Sequence, residues 1–230
     1  MGLISDRQEK RMGATDGTQL SVRTYNLVIG LITLYGILAN VLICYVIKDK
    51  LNDMNPILFI VGYFVLGISG ILISSFSKNA GISFLGYNLV VLPVGAVVSM
   101  IVSAYVKSDS IGQVYQAIVY TAIITFVMIV LSIIFPNFFS RIGGFLFMCL
   151  IGLIVAEITA LFLFPGTQNI FSWLGAILFA LYIGHDHWKA QQFPKTLDNA
   201  VDSALDLYLD IINLFLRVLS SKSSSSRSKK

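Results

Sequence analysis

Seven apolar stretches, each about as long as a helix needs to cross a ~30 Å hydrocarbon core, make this chain an all-α integral membrane protein. Hydrophobic residues form 56% of the sequence and charged residues 12%, whereas an ordinary soluble domain is about 25% charged. The mean hydropathy of +0.81 agrees. In lipid only helices and closed barrels satisfy every backbone N–H and C=O. Long continuous apolar runs exclude a barrel, whose strands alternate in and out.

In chain order the spans fall at residues 24–47, 57–77, 82–105, 113–135, 142–164, 170–186 and 200–220. The connections hold breakers and charges: Lys48-Asp49-Lys50 to Pro56, Lys78-Asn79-Ala80-Gly81, Lys107-Ser108-Asp109, Pro136-Asn137 and Pro165-Gly166. They are short, which predicts one compact bundle, with a polar tail over 1–23, a transmembrane domain over 24–220 and a Ser/Lys-rich tail over 221–230. Arg7, Lys10, Arg11 and Arg23 precede the first span, and no short apolar segment with a small-residue cleavage site follows. The N-terminal tail therefore reads as uncleaved and cytoplasmic. Lys78, Arg141, Lys189 and Lys195 then lie on inner loops, against Lys48, Lys50 and Lys107 on outer ones. Seven full crossings would put the basic tail, with Lys222, Arg227, Lys229 and Lys230, outside against the positive-inside rule.

The net charge of +4 sits mainly in the tails. That suits anionic lipid headgroups and gives no nucleic-acid role. Cys44 and Cys149 lie in apolar runs without a ligand cluster and read as buried packing residues. In the second span Gly62, Gly67, Gly70 and Ser74 read as small packing positions, and Pro93 with Gly95 as a kink or a close approach in the third. Tyr182 and Trp188 read as interfacial anchors.

The last span differs from the rest. Asp206, Asp210, Asn213 and Arg217, spaced by four, three and four residues, return to one helical face. Ten apolar residues offset ~3 to 6 kcal/mol on insertion scales, while two aspartates and an arginine at central depth cost ~7 to 10. Alone in lipid this helix loses. It must be central, with six helices around its polar face, or lie in the membrane surface. Acidic residues every four positions, Asp198, Asp202, Asp206 and Asp210, would be repelled by anionic headgroups, which favours the central position. Asp186, in Gly184-His185-Asp186-His187-Trp188, ends the preceding span. Ionisable groups at membrane depth usually face a wet path or a partner.

The run Ala204-Leu205-Asp206-Leu207-Tyr208-Leu209-Asp210-Ile211-Ile212-Asn213-Leu214-Phe215 resembles the final-helix signature of the Bax inhibitor-1 (transmembrane BAX inhibitor motif) family. An aspartate 24 positions earlier, Asp186, matches the spacing of bacterial members. The resemblance implies six helices around a central seventh, a plasma-membrane location, and a pH-sensitive calcium leak with Asp186 and Asp210 as proton-sensing gate. Two departures stand out. Family members often carry a basic residue in the second span, but residues 57–77 hold no Lys or Arg, and His185-Asp186-His187 replaces the usual Tyr-Asp.

Chemically, two close carboxyls in a poorly solvated site share a proton instead of both ionising. Once charged they repel unless water or a cation enters, and Ca²⁺ accepts such oxygens in flexible geometry. Asp186 and Asp210 are thus expected to hold Ca²⁺ transiently. Asp206, Glu157 and Asn213 are expected along a cation path, with Glu157 equally open to a structural bond with a neighbouring helix. His185, His187 and Arg217 are expected to tune the pair, although loop histidines at headgroup level fit as well. No cofactor is expected, and the partners are the bilayer, Ca²⁺ and a membrane protein. Intramembrane aspartyl proteolysis is disfavoured, since no Gly-x-Gly-Asp surrounds Asp210, and no HExxH, P-loop or dinucleotide fingerprint occurs. The competing readings are a regulator that binds a membrane protease or stress factor, and a proton-coupled transporter.

Overall fold

The computed structural model describes residues 9–13, 19–47, 55–163 and 167–227. Among them it has seven long helices and no strand: α1 (Val22–Ile47), α2 (Pro56–Phe76), α3 (Ala80–Lys107), α4 (Ile111–Ile134), α5 (Pro136–Leu163), α6 (Gln168–Ala190) and α7 (Leu197–Arg227). A further helical turn covers residues 9–12. Five helices, α1 to α5, are long and apolar enough to cross a membrane by length and composition. α6 and α7, which carry the polar residues singled out above, are not among the five. Large apolar side chains such as Leu27, Leu38, Phe64, Phe126 and Phe145 are exposed on α1, α2, α4 and α5, as expected of helices solvated by lipid.

The chain forms two compact units. The first comprises Met1–Lys107 with Gln192–Tyr208, the second Ser108–Gln191 with Leu209–Lys230.

In the first unit α3 packs against both α1 and α2. Asn55 starts α2 by accepting the Ile57 and Leu58 N–H groups, with Pro56 in the first turn where its missing N–H costs nothing. Gly70 and Gly86 let α2 and α3 touch backbone to backbone: a Cβ on Gly86 would lie 2.6 Å from the Gly70 carbonyl and 2.7 Å from the Ser74 nitrogen. Of the four small residues read as packing positions in α2, only Gly70 and Ser74 serve so here; at Gly62 and Gly67 a Cβ would meet nothing within 4 Å. α3 runs unbroken through Pro93, and Gly95 makes room for Asn40 and Ile43 of α1.

In the second unit α6 packs on α5 and α4 around Leu146, Leu153 and Leu178. Cys149 packs partly buried against that core, and Cys44 is also half-buried; both are free thiols. α5 begins at Pro136, six positions before the predicted start at 142, because proline ends α4 at Phe135 yet suits the first turn of the next helix. α6 runs past the predicted end at Asp186 to Ala190, so His185, His187 and Lys189 belong to its last turns. Basic residues there complement the helix dipole. α7 likewise extends beyond 220, to Arg227.

Candidate functional site

α7 contributes polar side chains to both units. Its start is fixed by Thr196, whose hydroxyl accepts the Asn199 N–H at 3.2 Å, and Asp198 lies in the first turn, where negative charge is favoured. In the first unit every carboxylate of this stretch meets a donor. Ser83 of α3 donates to Asp198 at 2.5 Å, and Ser74 of α2 donates to Asp202. Arg11, from the N-terminal turn, donates through Nη1 to Asp206 at 3.0 Å. Its Nη2 reaches Ser203 Oγ at 2.5 Å and the Asn199 carbonyl at 3.2 Å, and the guanidinium lies 3.9 Å over the Phe193 ring. Lys10 Nζ lies 3.6 Å from Asp198 and 3.9 Å from Asp202. Arg11 is 1% exposed and Asp202 0%. A buried charge is tolerated only when paired and hydrogen-bonded, and this cluster meets that condition.

The same unit holds Tyr208 of the signature run, which exchanges hydrogen bonds with Asn40 of α1 at 2.8 and 3.1 Å. Lys195, before α7, lies 4.7 Å over the Tyr25 ring, and its carbonyl accepts the Leu20 N–H at 2.7 Å. Burial pushes the Lys195 ammonium below the ordinary lysine range.

The second unit holds Asp186 and Asp210. Tyr182, Asp186 and Asp210 all belong to this unit. Asp210 is 7% exposed, so its surroundings are poor in water. Around Asp186, Lys189 Nζ lies 3.8 Å and His185 Nε2 3.9 Å from Oδ1. His185 Nδ1 donates to the Phe139 carbonyl at 2.8 Å, which turns Nε2 toward Asp186. Gly143 makes this possible, because a Cβ there would sit 2.7 Å from Nε2. His187 turns to α4 instead, 2.7 Å from Ser132 Oγ. Since that hydroxyl donates to the Ile129 carbonyl, His187 Nδ1 is the donor.

Glu157 and Arg217 form a two-pronged ion pair, Nη1 to Oε1 and Nη2 to Oε2, the latter at 3.0 Å. Gly175 leaves space for the arginine stem: a Cβ would stand 2.7 Å from its Cδ. Asn213 returns its amide N–H to its own helix, at the Leu209 carbonyl, 2.8 Å away.

Of the residues singled out in the sequence, the structure sets His185 beside Asp186 and pairs Glu157 with Arg217, while Asp210 is buried in the same unit. His187 meets Ser132, and Asp206 belongs to the other unit with Arg11. Among the described residues no group of three or more His, Cys, Asp or Glu is arranged to hold a metal ion. Sequence reasoning missed the cluster of Lys10, Arg11, Ser74, Ser83, Asn199 and Ser203. The available signal was the acidic repeat of α7, whose charges required cations from somewhere in the chain.

The chain matches a family model described as "Inhibitor of apoptosis-promoting Bax1" over residues 18–227. An uncharacterized protein of Helicobacter pylori is 34% identical over 116 residues, which are 50% of this chain and 49% of that protein. An uncharacterized membrane protein of Streptococcus pyogenes is 29% identical over 132 residues, 54% of this chain and 56% of its own length. Bax inhibitor 1 of Schizosaccharomyces pombe is 38% identical over 84 residues, 35% of this chain and 31% of that protein. The chain thus spans about half the length of the bacterial relatives it matches, and less of the yeast one. The match to the family model covers nearly the whole chain, and with five helices fit to cross a bilayer this is a multi-pass membrane protein of the Bax inhibitor-1 family.

Proposed function

We propose that this protein is a pH-sensitive calcium leak, in the plasma membrane of a bacterium, gated by Asp186 and Asp210. The observation that supports the reading is the burial of Asp210, almost wholly removed from water, in the unit where Asp186 stands beside Lys189 and His185. A proton shared between the two carboxyls holds them together and closes the path. Loss of that proton leaves two negative charges in a site poor in water, and their repulsion is relieved by separation or by an entering cation. Ca²⁺, which binds carboxylate and carbonyl oxygens in flexible geometry, suits the charged state. Lys189 and His185 stand 3.8 and 3.9 Å from Asp186, and Asp206 is a further cation contact. Glu157, held by Arg217, acts as a structural tie in the second unit and not as a free ligand.

The experiment is Ca²⁺ entry into liposomes containing the purified protein, compared with empty liposomes and with Asp186→Asn. Protein-dependent entry, altered by the substitution, is expected. A correctly inserted protein that passes no more Ca²⁺ than empty liposomes would replace the leak with a regulatory role in binding another membrane protein.

A further inference from the structure

Asp198, Asp202 and Asp206 follow one another at four-residue intervals on α7, and the chain's own N-terminal turn is seated against all three. The attachment is made by cationic side chains, one of which, Arg11, also lies over the Phe193 ring. Arg11 spans Asp206, Ser203 and the Asn199 carbonyl, and Asn199 answers with a bond from Nδ2 to the Arg11 carbonyl at 3.0 Å. Lys10 serves Asp198 and Asp202 and donates to the Ser74 carbonyl at 3.3 Å. Glu9, Met12 and Gly13 face outward, Met12 with 56% of its surface exposed, so two cationic side chains carry the contact.

An element fastened by charge differs physically from one fastened by an apolar anchor. Closed and buried it is screened little, but salt screens the charges that lifting exposes, and a free cation then competes for the same oxygens. Lifting it alone would strand buried carboxylates, so its departure is favoured when another cation takes its place. We propose that residues 9–13 are a displaceable cationic cap. Lys10 and Arg11 stand where free cations would stand, and Asp198, Asp202 and Asp206 become available to cations only when the segment lifts. The consequence for conduction rests on the leak proposed above, in which Asp206 is a cation contact.

Hydrogen exchange of the full chain in detergent micelles tests the cap without reference to flux. Raising KCl from about 0.05 to about 0.5 M is expected to speed exchange over residues 9–13 about tenfold while residues 197–208 stay protected. CaCl₂ at matched ionic strength is expected to act more strongly, and Asp202→Asn to speed exchange at low salt. Exchange over 9–13 that ignores salt overturns the cap, whatever the variant does. In liposomes, Lys10→Gln with Arg11→Gln is expected to raise Ca²⁺ entry several-fold. Unchanged entry in that variant beside a conducting wild type overturns the closing role. If neither conducts while exchange responds to salt, the cap stands and the leak is what fails.

Discussion

Glu157 and Arg217 show how one contact decides the role of a residue. A carboxylate inside an apolar span signals either a conduit or a partner, and the partner lies 60 positions away, on α7. Nothing local in Leu153-Ile154-Val155-Ala156-Glu157 announces it. The two-pronged geometry predicts that Glu157→Gln lowers thermal stability and that Arg217→Met does the same. The double variant should cost less than the sum, with a coupling of about 1 to 3 kcal/mol in a double-mutant cycle. Additive effects would show that the pair is incidental. Arg11 was harder still to read. In sequence it is one of several basic residues in a polar tail, and only the unanswered acidic repeat of α7 hinted that tail residues were needed inside. α2, which has no Lys or Arg, enters the same cluster through Ser74. Ser74→Ala removes the hydroxyl that donates to buried Asp202 and should cost about 1 to 3 kcal/mol, measurable by thermal unfolding in detergent.

The helices themselves were legible, because lipid demands long apolar runs and turns need breakers. Each predicted span corresponds to a helix, with errors concentrated at the ends. α5 starts at Pro136 because proline, which breaks α4, also suits a first helical turn. α6 reaches Ala190 because hydropathy falls at Gly184-His185-Asp186-His187 while the backbone hydrogen bonds continue. That extension matters, since it brings Lys189 one turn from Asp186. Which glycines mediate contact was not legible, as Gly62 and Gly70 look alike in sequence. The close approach of α2 and α3 predicts that Gly86→Val, which forces a side chain into the Gly70 backbone, destabilises the protein by about 1 to 3 kcal/mol or more, while Gly62→Ala is neutral or slightly stabilising. Equal effects at the two positions in thermal unfolding would contradict this packing. On the second unit, Gly143→Ala should displace the His185 ring and so alter its coupling to Asp186. The expected readout is a displaced His185 ring signal in NMR, with an unchanged signal as the opposing result.

At the scale of the whole molecule, family and membrane nature were readable from few residues: the Leu-Tyr-Leu-Asp run of α7, the aspartate 24 positions before it, and the apolar spans. What a sequence pattern could not supply was the immediate company of each charged group, since ion pairs here join residues up to 195 positions apart. The central claim is that protonation of the Asp186–Asp210 pair closes a calcium path. Its most direct test is the rate of Ca²⁺ entry into liposomes carrying wild type or Asp210→Asn, scanned from about pH 5 to about pH 8 across the histidine and shared-carboxyl range. Wild-type entry should rise with pH as the shared proton leaves, and Asp210→Asn, which cannot lose it, should give a flattened profile. A variant that keeps the full wild-type pH dependence would contradict the claim.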